Sequence, residues 1–279
     1  MKNKVFIISS YTISLVNFRL ELIKELKRQN FEVFALGPDI DEETVDRLNE
    51  EGVKFILYKL NRNGLNPLSD FLTIMNLRKL LKLHKPNYII PYTIKPVLYA
   101  NIAKKRLNIK SVSLITGLGY YANPSVSFKD KITKEILTKL YKFALNDNDV
   151  IAFQNTDDIS FFKEKLILNK NSNYCITPGS GIDLSKFDYL SANDEKIDFL
   201  FIGRLIKPKG IEFFLEAAKK IRETHKNCTF SIIGMNDINN ADAISEGLFK
   251  SYHEQGIINF IGEVKNVIPH IKNCSVFVL

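Results

Sequence analysis

Two basic side chains, Arg204 and Lys209, stand where an apolar run gives way to an amphipathic one, in Phe199-Leu-Phe-Ile-Gly-Arg-Leu-Ile-Lys-Pro-Lys-Gly-Ile-Glu-Phe-Phe. The pattern predicts a strand running into Gly203-Arg204, a loop, and a helix opening at Lys209-Gly210. Gly203 lets another backbone or a ligand come close. A helix N-terminus adds free N–H groups and a partial positive charge, which suits a phosphate. With Arg204 and Lys209 at the same mouth, a diphosphate can be neutralised and stabilised as a leaving group without a metal. An ordinary strand–loop–helix turn with solvated charges fits the same residues.

The first half offers further candidates. Gly117 and Gly119, in Thr116-Gly-Leu-Gly-Tyr120, follow an apolar run. They either permit close backbone approach to a ligand at the C-terminal edge of a sheet, where open α/β sheets bind ligands, or form a plain turn. Ser10 belongs to the loop Ser9–Thr12 that follows the first apolar run. Arg19 falls one turn into the first helix and faces either a cleft or solvent. Lys95 opens a helix after a strand, a position from which an ammonium can meet a phosphate.

Metal chemistry has little support. The triplets Asp39-Ile-Asp41 and Asp147-Asn-Asp149 fall in short loops, where aspartates serve as caps and turn formers. The histidines His84, His225, His253 and His270 show no ligand spacing. Cys175, Cys228 and Cys274 are odd in number and far apart; they read as small buried residues of a reducing compartment.

These residues need a scaffold, and the chain provides one. Its 279 residues, 45% apolar and 25% charged, are ordinary for one large or two modest globular domains. Strands are predicted at Val5–Ser9, Phe31–Leu36, Lys54–Tyr58, Tyr88–Pro91, Ser111–Thr116, Val150–Gln154 and Tyr174–Thr177. Helices fill the gaps, among them Phe18–Leu26, Glu42–Glu51, Phe71–Leu83 and Lys129–Leu145. Continuous apolar strands alternating with helices imply a parallel sheet covered on both faces.

Pro178–Leu190 breaks this rhythm, and polar Ser191–Lys196 follows. The division expected is a domain over 1–182, a linker over 183–196 and a second domain over 197–279. In that second part, strands are predicted at Ile197–Ile202, Thr229–Ile233, Ile257–Ile261 and Ser275–Leu279. Helices are predicted at Ile211–Ile221, near Ala241–His253 and near Val267–Ile271. Ending on a buried-type strand leaves the second sheet unfinished, so truncation is expected.

The formal charge of +8, with a pI near 9.2, favours anionic partners. Much of it lies between Lys95 and Lys142. The helix Lys129–Leu145 places Ile132, Ile136, Leu140 and Phe143 on one face and lysines elsewhere. It either packs on the core with a solvated lysine side or rests on an anionic bilayer, where each lysine adds about 1 kcal/mol. No stretch reaches the roughly 18 apolar residues of a membrane span, and the first residues read as a strand of a cytoplasmic protein rather than a signal peptide.

Several motifs resemble the retaining family 4 glycosyltransferases of GT-B fold. Gly203-Arg204-Leu205, Lys209-Gly210-Ile211 and Phe214 are similar to the donor-phosphate motif of that family. Pro178-Gly179-Ser180-Gly181-Ile182-Asp183 with Phe187 resembles its interdomain segment. Ile232-Ile233-Gly234 resembles the strand-end glycine beside the nucleotide, and Phe260-Ile261-Gly262 with Asn273–Leu279 resembles the elements that follow. Ser14-Leu-Val-Asn-Phe-Arg19, Tyr92-Thr-Ile-Lys-Pro96 and Thr116-Gly-Leu-Gly-Tyr120 look like a bacterial subgroup that builds lipid-linked oligosaccharides, O-antigen and capsule units.

The resemblance implies two Rossmann-like domains, the second incomplete here, with both substrates held between them. It implies transfer of a hexose or N-acetylhexosamine from a UDP-sugar to an undecaprenyl-diphosphate-linked saccharide, with retention and without a metal or other cofactor. Arg204 and Lys209 then stabilise the leaving diphosphate, and Gly203, Gly210, Gly234 and Gly181 adjoin the donor. Ser10, Arg19, Lys95, Gly117, Gly119 and Tyr120 face the acceptor or the cleft. The enzyme works at the cytoplasmic face of the cell membrane, held there by the basic surface near Lys129–Lys142, and binds no nucleic acid.

Two departures stand out. Many relatives carry a sugar-contacting histidine near Tyr92–Lys95, and this chain has none there. The family's E-x7-E element, expected after Ser275–Leu279, is not in the sequence. A sugar-nucleotide epimerase of the same fold and a non-catalytic module that binds UDP-sugar or membranes remain as rivals.

Overall fold

A computed structural model describes residues 2–62, 66–121, 127–146, 149–186, 197–235 and 242–279. It divides into two compact units, Met1–Ile182 and Asp183–Leu279. Residues 187–196, most of the expected linker, lie outside the described residues, as do Phe187 and Asp147.

The first unit runs β1 (Lys4–Ile8), α1 (Ile13–Arg28), β2 (Glu32–Gly37), α2 (Glu42–Glu50), β3 (Lys54–Leu57), α3 (Pro67–His84), β4 (Tyr88–Pro91) and α4 (Ile94–Lys104). It continues with β5 (Lys110–Ile115), a 3-10 turn at Gly119–Tyr121, α5 (Phe128–Leu145), β6 (Val150–Phe153), α6 (Thr156–Glu164) and β7 (Tyr174–Ile176). The seven strands form one sheet in the order β3-β2-β1-β4-β5-β6-β7, every described pairing parallel.

Side chains on successive strand positions point to opposite faces, and β1 obeys this. Phe6 and Ile8 join the core under α3, α4, α5 and α6, whereas Val5 and Ile7 join the core with Leu15 and Ile23 of α1 and Leu48 of α2. Both faces are therefore apolar, which is why the strands read as continuous runs. The caps are equally local in origin. Asp41 accepts from Thr44 at the start of α2, Asn66 caps α3 ahead of Pro67, and Ser127 with Asp130 forms a capping box on α5.

The second unit contains β8 (Ile197–Ile202), a 3-10 turn at Lys207–Lys209, α7 (Ile211–Thr224), β9 (Cys228–Ile233), α8 (Glu246–Glu254), β10 (Asn259–Gly262), α9 (Ile268–Asn273) and β11 (Val276–Val278). Its parallel sheet has the order β10-β9-β8-β11. Phe201, Phe214 and Phe230 pack together beneath α7, and fully buried Phe249 of α8 stacks on Phe260. On the outer strand, Val276 and Phe277 are exposed.

Four expectations need correction. Only Cys228 is buried; Cys175 is exposed and Cys274 half-buried. The helix expected near Ala241–His253 begins at Glu246, because Asp242–Ile244 turn back to pair with the β8–α7 loop, Ile244 N–H donating to Leu205 and Lys207 N–H to Asp242. The helix expected to open at Lys209-Gly210 begins at Ile211, since Gly210 takes the left-handed conformation with φ 73° and Lys209 stays in the 3-10 turn. The apolar face assigned to α5 is not its core face: Leu137, Tyr141 and Ala144 go inward, while Ile132, Ile136 and Phe143 are exposed.

Candidate functional site

In an open parallel sheet, a crevice forms beyond the C-terminal strand ends where the strand order reverses. The first unit reverses between β1 and β4, and the second between β8 and β11. Each reversal point carries a group of the residues singled out from the sequence.

In the second unit, Gly203 and Arg204 follow directly on β8. Arg204, Lys207 and Lys209 are all exposed. Neither Arg204 nor Lys209 has an ion pair or hydrogen bond from its side chain among the described residues. The α7 N-terminus that follows has no side-chain cap. Exposed cations beside a helix N-terminus without a side-chain cap give this mouth a positive potential, the character an anion requires.

The glycines here serve different ends. A β-carbon on Gly234 would lie 1.9 Å from the Gly203 carbonyl oxygen, so this position admits only glycine unless the backbone moves. Backbone bonds from Gly203 to Ile233 (3.0 Å) and from Gly234 to Gly262 (2.9 Å) hold both chains in place. A β-carbon on Gly203 would meet only the Phe201 ring, at 3.4 Å. Gly181, at φ 71°, closes the first unit, and a β-carbon there would meet nothing within 4 Å.

In the first unit, Ser10, Arg19 and Lys95 gather around the ends of β1 and β4. Arg19 is not solvated: it is 5% exposed, its Cζ 4.6 Å above the centre of the buried Tyr92 ring. Its Nη1 donates to the Phe18 carbonyl (2.9 Å) and to Ser180 Oγ (2.7 Å). Burial lowers the Arg19 pKa from its ordinary value, with Tyr92 acting weakly the other way. Tyr92 itself is pushed up to about 12 by burial, and its hydroxyl lies 2.8 Å from Ser14 Oγ.

Thr93 Oγ1 donates to Ser10 Oγ at 2.8 Å. Lys95 is engaged: its ammonium lies 3.2 Å from Asp70 and 2.7 Å from the Asn61 carbonyl, so its charge is already balanced within the unit. Gly117 (φ 125°) and Gly119 (φ 50°) follow β5, and Tyr120 sits in the 3-10 turn after them. Sequence reasoning missed Ser14, Tyr92 and Ser180 as partners of the Arg19 cluster. All three fall in segments that carry the resemblance, Ser14 in the first turn of α1, Tyr92 directly after β4 and Ser180 between two glycines, but nothing local links them to Arg19.

The described aspartates of the D-x-D triplets, Asp39, Asp41 and Asp149, have structural partners. Asp39 accepts from Thr12, Asp41 caps α2, and Asp149 pairs with Lys104 and the Ser111 N–H. Among the described residues there is no group of three or more metal-capable side chains, and no helix is long and apolar enough to cross a membrane.

Comparison with known proteins follows the same division. Residues 8–155 match the family described as glycosyl transferase 4-like, and residues 196–279 match the family described as glycosyl transferases group 1. The chain is 26% identical over 281 residues to the N,N'-diacetylbacillosaminyl-diphospho-undecaprenol alpha-1,3-N-acetylgalactosaminyltransferase of Campylobacter jejuni, covering 95% of this chain and 71% of that protein.

Its fold is similar to that of sucrose-phosphate synthase from Thermosynechococcus elongatus, with a TM-score of 0.75 at 13% identity over 99% of this chain and 75% of that one. It is also similar to Anabaena HepE in complex with UDP and glucose, with a TM-score of 0.65 at 12% identity over 99% of this chain and 73% of that one. The two parallel-sheet units are those of the GT-B glycosyltransferase fold. With a family match over more than half its length, this chain belongs to the glycosyl transferase 4-like family of glycosyltransferases.

Proposed function

We propose that the protein transfers a hexose or N-acetylhexosamine from a UDP-sugar to an undecaprenyl-diphosphate-linked saccharide, with retention of configuration, in the building of a bacterial surface polysaccharide or glycan. The observation that carries this reading is the exposed, unneutralised pair Arg204 and Lys209 at the strand reversal of a glycosyl transferases group 1 segment. The relative from Campylobacter jejuni is named for a diphospho-undecaprenol acceptor, and the Anabaena protein of the same fold binds UDP and glucose.

In this mechanism the departing UDP carries the developing charge. Arg204 and Lys209 offset it with charge-assisted hydrogen bonds, and the first N–H groups of α7 add to the same field. The chain's own cations then supply the charge that a metal supplies elsewhere. Ser10, Gly117, Gly119 and Tyr120 line the acceptor side. The direct test is product analysis with a UDP-N-acetylhexosamine and a short polyprenyl-diphosphate-linked saccharide. The expected product is an elongated glycolipid with the anomeric configuration of the donor. A free epimerised nucleotide sugar, or donor left intact, overturns the reading.

Such an acceptor lies in a bilayer, and α5 is suited to meet one at the inner face of the cell membrane. Phe128, Ile132, Ile136 and Phe143 form an outward stripe opposite the core face, with Lys129, Lys131, Lys139 and Lys142 exposed beside it. On α3, Leu68, Phe71, Leu72 and Met75 are exposed as well. Helices of parallel α/β units run opposite to the strands, so the N-terminal halves of α3 and α5 lie toward the same edge as the acceptor loops. Replacing Ile132 and Ile136 by serine is expected to weaken binding to phosphatidylglycerol-rich vesicles by roughly tenfold, with the thermal midpoint unchanged. Flotation assays at low and high salt check this; equal flotation of variant and parent removes α5 from the membrane surface.

A further inference from the structure

We infer that the buried guanidinium of Arg19, with Ser180 and the Tyr92–Thr93 corner, is a binding site for the phosphate or diphosphate group of a ligand that enters at the C-terminal ends of β1 and β4. The inference rests on the reading of the first unit as the acceptor side and names the chemical group that unit would grip.

The starting point is an unbalanced charge. A buried cation ordinarily has an anionic partner, since removal from water is costly. Arg19 has none: no carboxylate pairs with it among the described residues, and both of its hydrogen-bond acceptors are neutral. The carboxylate of the neighbouring β2–α2 loop, Asp39, is engaged by Thr12. Tyr92 stays protonated at neutral pH and offers only its ring face.

The unused donors point to the missing partner. Nη1 serves the Phe18 carbonyl and Ser180, while Nε is buried without a hydrogen-bond partner and Nη2 bonds to none of the described residues. Nε and Nη2 form one edge of the guanidinium fork, the edge whose parallel N–H groups hold two oxygens of a phosphate.

The surroundings fit such a ligand. Ser10, Ser14 and Thr93 bring hydroxyls to the same corner. Thr93 is held at φ 67° and ψ 163°, a region that β-branched residues avoid and that is maintained where geometry serves a site. Ser180 lies between Gly179 (φ 80°) and Gly181 (φ 71°), and β-carbons on either would meet nothing within 4 Å, so space for a ligand adjoins it. The cluster also occupies the strand reversal of the sheet.

The test uses the chain carrying Arg204→Ala and Lys209→Ala, which removes the other anion-binding mouth. Inorganic pyrophosphate and farnesyl diphosphate are titrated by calorimetry, with thermal midpoints in parallel. Both ligands are expected to bind, and Arg19→Met to weaken each by about tenfold or more. Without ligand, Arg19→Met should keep or raise the midpoint, because it takes an unpaired charge out of the interior. Arg19→Lys keeps the charge but not the fork, and is expected to bind both ligands more weakly than arginine does.

Farnesyl diphosphate bound much more tightly than pyrophosphate supports the site with a lipid as its source. Equal affinities support it with a free anion as the source. Pyrophosphate affinity unchanged in Arg19→Met or in Arg19→Lys overturns the inference, as does a lower midpoint with unchanged affinity. UDP binding by the parent chain is measured alongside. Its loss would count against the glycosyltransferase mechanism without touching the pyrophosphate result.

Discussion

Alanine at both Arg204 and Lys209 is expected to weaken UDP binding by about 100-fold or more while leaving the thermal midpoint where it was. Each side chain can give a charged hydrogen bond to the diphosphate worth about 1.5–3 kcal/mol, and 1.4 kcal/mol is tenfold in affinity. Both residues are exposed and make no ion pair among the described residues, so their removal leaves no buried group unsatisfied. Isothermal titration calorimetry at several salt concentrations reads the effect, and the parent's affinity should fall more steeply with salt than the variant's. Lys207, exposed in the same 3-10 turn, provides the comparison. If Lys207→Ala weakens UDP more than Lys209→Ala does, the assignment of Lys209 is wrong.

The second large effect concerns stability. Gly234→Ala is expected to destabilise the second unit by about 3 kcal/mol, at the upper end of overpacking costs, and to lower its midpoint by roughly 12–24 °C. The new β-carbon would fall 1.9 Å from the Gly203 oxygen and 3.1 Å from the Leu205 Cδ2. Relief requires one backbone to move, and each is tied to its neighbour by the bonds to Ile233 and Gly262. Movement of Gly203 carries Arg204 with it, so UDP affinity should fall in the folded fraction too. Gly203→Ala is the control: its β-carbon meets a ring edge at ordinary distance, and a near-native midpoint is expected. Equal midpoints for the two variants would show that the Gly234 approach is not rigid. Calorimetric unfolding measures both.

The architecture was legible because parallel strands covered on both faces leave a simple trace. Val5–Ser9 against the observed Lys4–Ile8, and Tyr88–Pro91 against the same span, differ by a residue or none. Periodicity sorted α5 into faces but did not say which turned inward. Ile132, Ile136 and Phe143 are as apolar as the residues opposite, yet the core accepts Leu137, Tyr141 and Ala144, since Tyr141 packs against Tyr121 and Phe162. Partners distant in sequence were out of reach for the same reason. Nothing local links Lys95 to Asp70, or Arg19 to Ser180, until the sheet brings them together.

The strand order of the second unit has a consequence during synthesis. Within the described residues β8 is made first but pairs on one side with β9 and on the other with β11, which is made after β9 and β10. At about 5–20 residues per second on the ribosome, the stretch from Ile197 to Val278 takes several seconds or more to appear. Throughout that interval the β11 side of β8, with Phe199 and Phe201 on that strand, is an unpaired edge open to other nascent chains. That edge of β8 can be covered only after translation has passed β11, so slowing elongation over this stretch should raise misassembly of the second unit and leave the first unaffected.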